Sequence, residues 1–176
     1  MLNKQTIEEF QRELSSKNPT PGGGVVAALA ASFAASLIEM VVNLTIGKKG
    51  YEDKEKILLK IAKDTGEIKK RLSVLAEDDA KAYQKVMEAY KAKSDTSITG
   101  TSRKENIKKT LKYAIEVPME VRKLSHELEE LGYRVSKVGN KNAVSDGRVA
   151  IHLARAAAKS ALENIKINKL ALVKLG

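Results

Sequence analysis

The sequence contains no cysteine and no tryptophan. The first absence excludes disulfides, thiol nucleophiles, cysteine-ligated zinc and iron–sulfur clusters together, and it predicts a reducing, cytoplasmic location. Histidine is scarce: His126 and His152 are the only two, so no paired-histidine metal motif exists, and packing or surface roles are expected for both. Three prolines, two phenylalanines and five tyrosines are spread over 176 residues. An all-β barrel or sandwich needs many more aromatics, β-branched runs and evenly spaced turns, so that class is excluded. The opening MLNKQTIEEF lacks the basic, apolar and small-residue sections of a secretory signal, and secretion is not expected. Long hydrophobic runs are missing but for one. Asn18 to Ile38 carries no charge, yet it is rich in alanine, glycine and serine, and Glu39 and Asn43 follow at once. That composition predicts a buried helix rather than a membrane span.

What is present points to helices. Ala, Glu, Lys, Leu and Arg fill about half of the chain, the balance of long helical segments. The length suits one domain, residues 1–176, without a linker or a repeat. The formal net charge of +10 attracts anions. Nucleic-acid recognition brings basic residues interleaved with stacking aromatics or a reading motif. Neither is visible, so no nucleic-acid partner is expected.

Thr6 with Glu9 has the form of a capping box, and Ile7, Phe10 and Leu14 continue at helical spacing to about Ser16. After Pro19-Thr20-Pro21-Gly22-Gly23-Gly24, Val25 to about Ile46 reads as a second helix. Val26, Ala30, Phe33, Leu37, Met40 and Leu44 form its predicted apolar face, and Ser32, Ser36, Glu39 and Asn43 a polar stripe. A third helix is predicted from Glu52 to about Lys93, weakened at most at Gly66. Its seam is Leu58, Ile61, Thr65, Ile68, Leu72, Leu75, Asp79, Ala82, Val86 and Ala89. Such a helix spans about 60 Å, more than a compact chain of this length covers. It is expected to overhang and to need a second copy. Ser94 to Ser102 reads as a loop, and Ser102 with Glu105 can cap a fourth helix, kinked or divided at Pro118 and ended by Gly132. Tyr133 to about Asn142 reads as another loop. Ser145 or Asp146 then caps an alanine-rich last helix to about Lys174, expected to lie against the second. The fold predicted is all-α: one bundle of about five to seven helices with one long helix, assembled as a homodimer.

Few residues stand out chemically. PGGG lacks the Lys-Ser/Thr ending of a phosphate loop and follows no strand. It is either a plain turn or a place where successive glycine amides meet an anion or a flat ligand. Asp79 interrupts an apolar seam, where a carboxylate loses hydration and must be paired, protonated or useful; the alternative is a polar break that fixes register. Asp78, turned about 100° away, is expected to be solvated. Glu39 and Asn43, one turn apart, either line a cleft or bond across a helix pair. Lys48 and Lys49 complement a helix C-terminus whatever else they do.

Pro19 to Gly24, then Glu39-Met40-Val41-Val42-Asn43-Leu44-Thr45 with Gly47-Lys48-Lys49-Gly50-Tyr51, resemble the cyclodeaminase/cyclohydrolase family of folate enzymes. Asp79 with Ala82-Tyr83, Gly139-Asn140, Ser145-Asp146, Asn164 and Ile167-Asn168 follow in the family's order. Val25 departs from it: a small residue, often serine, is expected after the third glycine. The resemblance implies an all-helical homodimer with its site near helix ends and the subunit interface. It implies action on a one-carbon tetrahydrofolate: cyclising deamination of 5-formiminotetrahydrofolate to 5,10-methenyltetrahydrofolate, with methenyltetrahydrofolate cyclohydrolase as the alternative. A non-catalytic folate-binding module is a third reading. A single carboxyl of raised pKa can take the proton from folate N10 and pass one to the leaving ammonia, and Asp79 is the expected seat. Asp79 or Asp146, ionised, favours the methenyl cation. Asn43 and Asn140 are expected to orient the reacting group, and Lys48 and Lys49 to meet an anionic, polyglutamylated tail. Gly22, Gly23, Gly24, Glu39, Tyr51 and Ser145 complete the expected substrate contacts. No metal and no cofactor beyond the folate itself is expected.

Overall fold

The computed structural model describes residues 5–92 and 103–175, and among them it is entirely helical. Five helices follow in order: α1 (Ile7–Leu14), α2 (Gly23–Asn43), α3 (Glu55–Lys91), α4 (Arg103–Val138) and α5 (Val144–Lys174), with 3-10 turns at Glu52–Lys54 and Lys141–Ala143. The expected loop Ser94 to Ser102, with the cap at Ser102, lies outside the described residues.

α1 starts as its sequence predicts. Thr6 Oγ1 accepts from the Glu9 amide at 3.1 Å, and the Glu9 carboxylate accepts from the Thr6 amide at 2.7 Å. α2 is the centre of the bundle and packs against α3, α4 and α5. By length and composition it could cross a membrane; here its inward face is the core. That face is not the one the large residues mark. Ala27, Ala28, Ala31, Ala34 and Ala35 are buried with Val25, Ile38, Val41 and Val42, whereas Val26, Phe33, Met40 and Leu44 point outward. Alanines on α2 meet Ala150, Ala154, Ala157 and Ala161 of α5 in one core. Small side chains let the helix backbones come close, and many short-range contacts replace a few large ones.

α3 runs straight through Gly66, and Leu58, Ile61, Ile68, Leu72, Leu75, Ala82 and Ala89 are buried as the seam predicts. The expected overhang is absent. α3, α4 and α5 have 37, 36 and 31 residues, so the chain covers its own seam. At the far end Ala89, Ile107 and Leu111 form a small second core. Large apolar side chains left open include Ile7 on α1, Val26, Phe33, Met40 and Leu44 along α2, and Ile167, Leu170 and Val173 at the end of α5.

Three local expectations change. α2 begins at Gly23 rather than Val25, so two glycines belong to its first turn. Gly132 does not end α4, which continues to Val138 and replaces most of the loop expected at Tyr133–Asn142. A β-carbon on Gly132 would stand 2.8 Å from Ile151 Cγ1; this glycine serves close packing of α4 on α5. Ser145 and Asp146 lie inside the first turn of α5, whose cap position is Ala143.

Candidate active site

The amino-terminal end of α2 is left open by its own sequence. Gly22 holds the cap position in an extended conformation and offers no side chain to the first-turn amides. α3 supplies the missing acceptor. Asp79 brings its carboxylate to this end, where it accepts from the Val25 amide, and a β-carbon on Gly24 would overlap that carboxylate. The second and third glycines of the turn thus start a helix, and the third makes room for an acid.

Burial pushes the Asp79 carboxyl from 3.8 up to about 6, against the lowering effect of the Val25 amide bond. Among the described residues no cation pairs with it. Its neighbour Asp78, expected to be solvated, is half-buried, with Lys81 at 3.8 Å. Asp79 opens onto a cavity of about 340 Å³ lined by the Gly22–Gly24 turn, Tyr83, Tyr90, Asn164 and Asn168. Larger clefts exist, such as one of about 530 Å³ beside Lys85 and Tyr113. The acid half-buried in another of them, Glu129, is paired with Arg155, and the chemistry favours the smaller space.

The aromatic and amide lining was missed in the expected substrate contacts, although helical spacing carried a signal. Tyr83 lies four residues after Asp79, and Asn168 four after Asn164, so each pair shares a face. The tyrosines give flat apolar walls. Asn168 Nδ2 donates to the Ala114 carbonyl at 2.7 Å, and Asn164 Nδ2 to Ser160 O at 3.0 Å.

Of the expected site residues, the fold brings together Gly22, Gly23, Gly24 and Asp79. The others gather at the opposite end of α2, about 30 Å away for 21 residues. There Gly47 and Gly50 take positive φ values of 75° and 89° and shape the turn bearing Lys48 and Lys49. Tyr51 Oη accepts from the Lys141 amide at 3.1 Å, and Thr45 Oγ1 from the Asn140 amide at 2.8 Å. Asn140 Nδ2 donates to Leu44 O at 3.1 Å while its Oδ1 accepts from the Asn142 amide at 3.1 Å. Asn140 and Tyr51 therefore tie the α2–α3 turn to the α4–α5 turn. Glu39 pairs with Lys69 across α2 and α3, and Asn43, Ser145 and Asp146 stand at the surface or partly buried at this same end.

Comparison with known proteins agrees along the whole chain. The sequence profile described as formiminotransferase-cyclodeaminase matches residues 6–174. Methenyltetrahydrofolate cyclohydrolase of Methylorubrum extorquens is 36% identical over 168 residues, 96% of this chain and 81% of the relative. Formimidoyltransferase-cyclodeaminase of Gallus gallus is 31% identical over 95% of this chain, which spans only 31% of that longer protein. The crystal structure of formiminotetrahydrofolate cyclodeaminase from Thermotoga maritima superposes with a TM-score of 0.88 and 33% identity, covering 98% of this chain and 82% of that one.

Proposed function

The chain belongs to the formiminotransferase-cyclodeaminase family, and from that premise we propose that it is a one-carbon folate enzyme. Its reaction is the cyclising deamination of 5-formiminotetrahydrofolate to 5,10-methenyltetrahydrofolate. The observation that carries this is Asp79: an acid raised to about 6 by burial, without a cation partner among the described residues, on the wall of a cavity of about 340 Å³. A group with a pKa near the working pH can both take and give a proton.

In the reaction, folate N10 attacks the formimino carbon held on N5 and a tetrahedral centre forms. Asp79 takes the proton from N10. The formimino group enters as its amidinium cation with two hydrogens on nitrogen; the proton from N10 supplies the third, the carbon–nitrogen bond breaks, and ammonia leaves. The methenyl product is a delocalised cation, and the ionised carboxylate it leaves behind stabilises it. Every step is addition, elimination or proton transfer, so the chemistry calls for no metal or redox group. Tyr83 and Tyr90 supply flat surfaces for the ring system. The likeness to the Methylorubrum cyclohydrolase favours a second reading: Asp79 activates water, which adds to the methenyl carbon, and opening of the N5–carbon bond gives 10-formyltetrahydrofolate.

The unit is a homodimer acting in the cytoplasm. Val26, Phe33, Met40 and Leu44 leave a row of apolar side chains open along α2, with Phe33 56% exposed at its midpoint. A two-fold axis there covers the row and sets one glycine turn beside the partner's opposite end of α2. In that arrangement Lys48 and Lys49 of the partner subunit meet the anionic glutamate tail, and Asn43 and Asp146 come within reach of the bound folate.

The test is absorbance at the methenyl-folate band after mixing the protein with 5-formiminotetrahydrofolate and, separately, with 5,10-methenyltetrahydrofolate. Growth of the band with ammonia release supports the first reading. Loss of the band in the second mixture alone selects the cyclohydrolase, and no catalysis in either overturns both.

A further inference from the structure

Pro118 stands inside α4 and is buried. In a regular helix its N–H would donate to the carbonyl of Ala114, four residues earlier, but proline has none. Ala114 is 7% exposed, and an unpaired carbonyl there would be costly. The donor comes from another helix: Asn168 Nδ2 on α5, at 2.7 Å.

This pairing fixes the orientation of the amide. A carbonyl oxygen only accepts, so the NH2 end of Asn168 faces Ala114, and the Oδ1 end remains as an acceptor on a residue that lines the cavity. Without the proline, the α4 backbone would satisfy Ala114 itself and the amide would be free to turn. The pterin ring of a folate carries a 2-amino-4-oxopyrimidine edge, whose exocyclic amine projects furthest and can only donate.

Resting on the folate reading above, we propose that Asn168 is a specificity-determining residue whose Oδ1 accepts from the pterin 2-amino group. Pro118 is the positioning residue that holds it in that sense. A purely structural role for the pair predicts loss of stability alone, whereas recognition predicts a loss that depends on the ligand.

The experiment measures kcat and KM for the wild type, Asn168→Leu and Pro118→Ala, each with the folate substrate and with its 2-desamino-2-methyl analogue. Asn168→Leu is expected to raise KM for the natural ring about 10-fold or more, with kcat within about 2-fold, and to leave KM for the analogue unchanged. Pro118→Ala is expected to raise KM for the natural ring about 3-fold with an unchanged or higher melting temperature. Equal KM changes for both ligands, or none in either variant, overturn the proposal. If Asn168→Leu does not fold, Pro118→Ala decides by the same comparison. A wild type that neither binds nor converts either ligand overturns the folate reading, and this proposal with it.

Discussion

Asp79→Asn is expected to raise stability at neutral pH while abolishing most activity, and the size of the gain follows from the site. Burial moves the carboxyl from 3.8 to about 6. The folded protein therefore holds a proton that the unfolded chain releases across that interval. With a folded pKa above the unfolded one, the residue's contribution to stability is full below about pH 4 and is lost as pH rises through about 6. At about 1.4 kcal/mol per pKa unit, the loss above pH 7 amounts to about 3 kcal/mol. Asparagine is neutral at every pH and keeps an oxygen for the Val25 amide. The shift to about 6 already includes the lowering effect of that amide bond. The gain at neutral pH is therefore about 3 kcal/mol, or about 6–12 °C in Tm for a domain of this size. Thermal melts of both proteins between pH 4 and 8 check it: the curves converge near pH 4 and separate through pH 6. Turnover falls by about 10²-fold or more. In the wild type, kcat/KM rises through about pH 6 as the base forms. A stability change that is negative at pH 7.5, or the same at every pH, refutes the claim that the fold holds a desolvated, unpaired acid.

Gly24→Ala puts a methyl where the Asp79 carboxylate lies. The carboxylate can swing aside, so a stability loss of about 1 kcal/mol is expected beside a fall in turnover approaching that of Asp79→Asn, read by melts and by the methenyl band. Asn140→Ala removes both side-chain bonds of the knot between the two turns; chemical denaturation should give a loss of about 2 kcal/mol. Phe33→Glu changes an exposed side chain, and the stability of the single chain should move by less than about 0.5 kcal/mol. Sedimentation of wild type as a dimer and of this variant as a monomer is the expected pair of results, and a monomeric wild type removes the dimer.

Much of the fold is legible because most helices state their inner face by side-chain size. The α3 seam is the clear case: ten positions at steps of three and four, of which Asp79 alone is charged, so its oddity shows without any structure. α2 misleads for a physical reason. Where alanine fills the interface, the inner face is chosen by how near two backbones can approach, and the larger Val26, Phe33 and Met40 are the residues excluded from it. Pattern reading that weights size therefore picks the outer face. Gly132 misleads likewise, since a glycine required by the passage of Ile151 looks, one helix at a time, like a stop.

The candidate site divides along the same line. Asp79 and the three glycines are each conspicuous alone, but their union is a contact between segments more than fifty residues apart, with the helix terminus lacking a cap of its own and the acid lacking a cation. Asn140 and Tyr51 are expected at the ligand on the resemblance alone; the bonds they make join two turns. Pro118 is the instructive remainder. Its missing N–H is evident from one letter of sequence, and local reasoning can foresee only a kink. α4 continues through it because the orphaned carbonyl finds its donor fifty-four residues on. A backbone defect that costs a helix stability becomes, once another helix answers it, the constraint that aims an amide at the cavity.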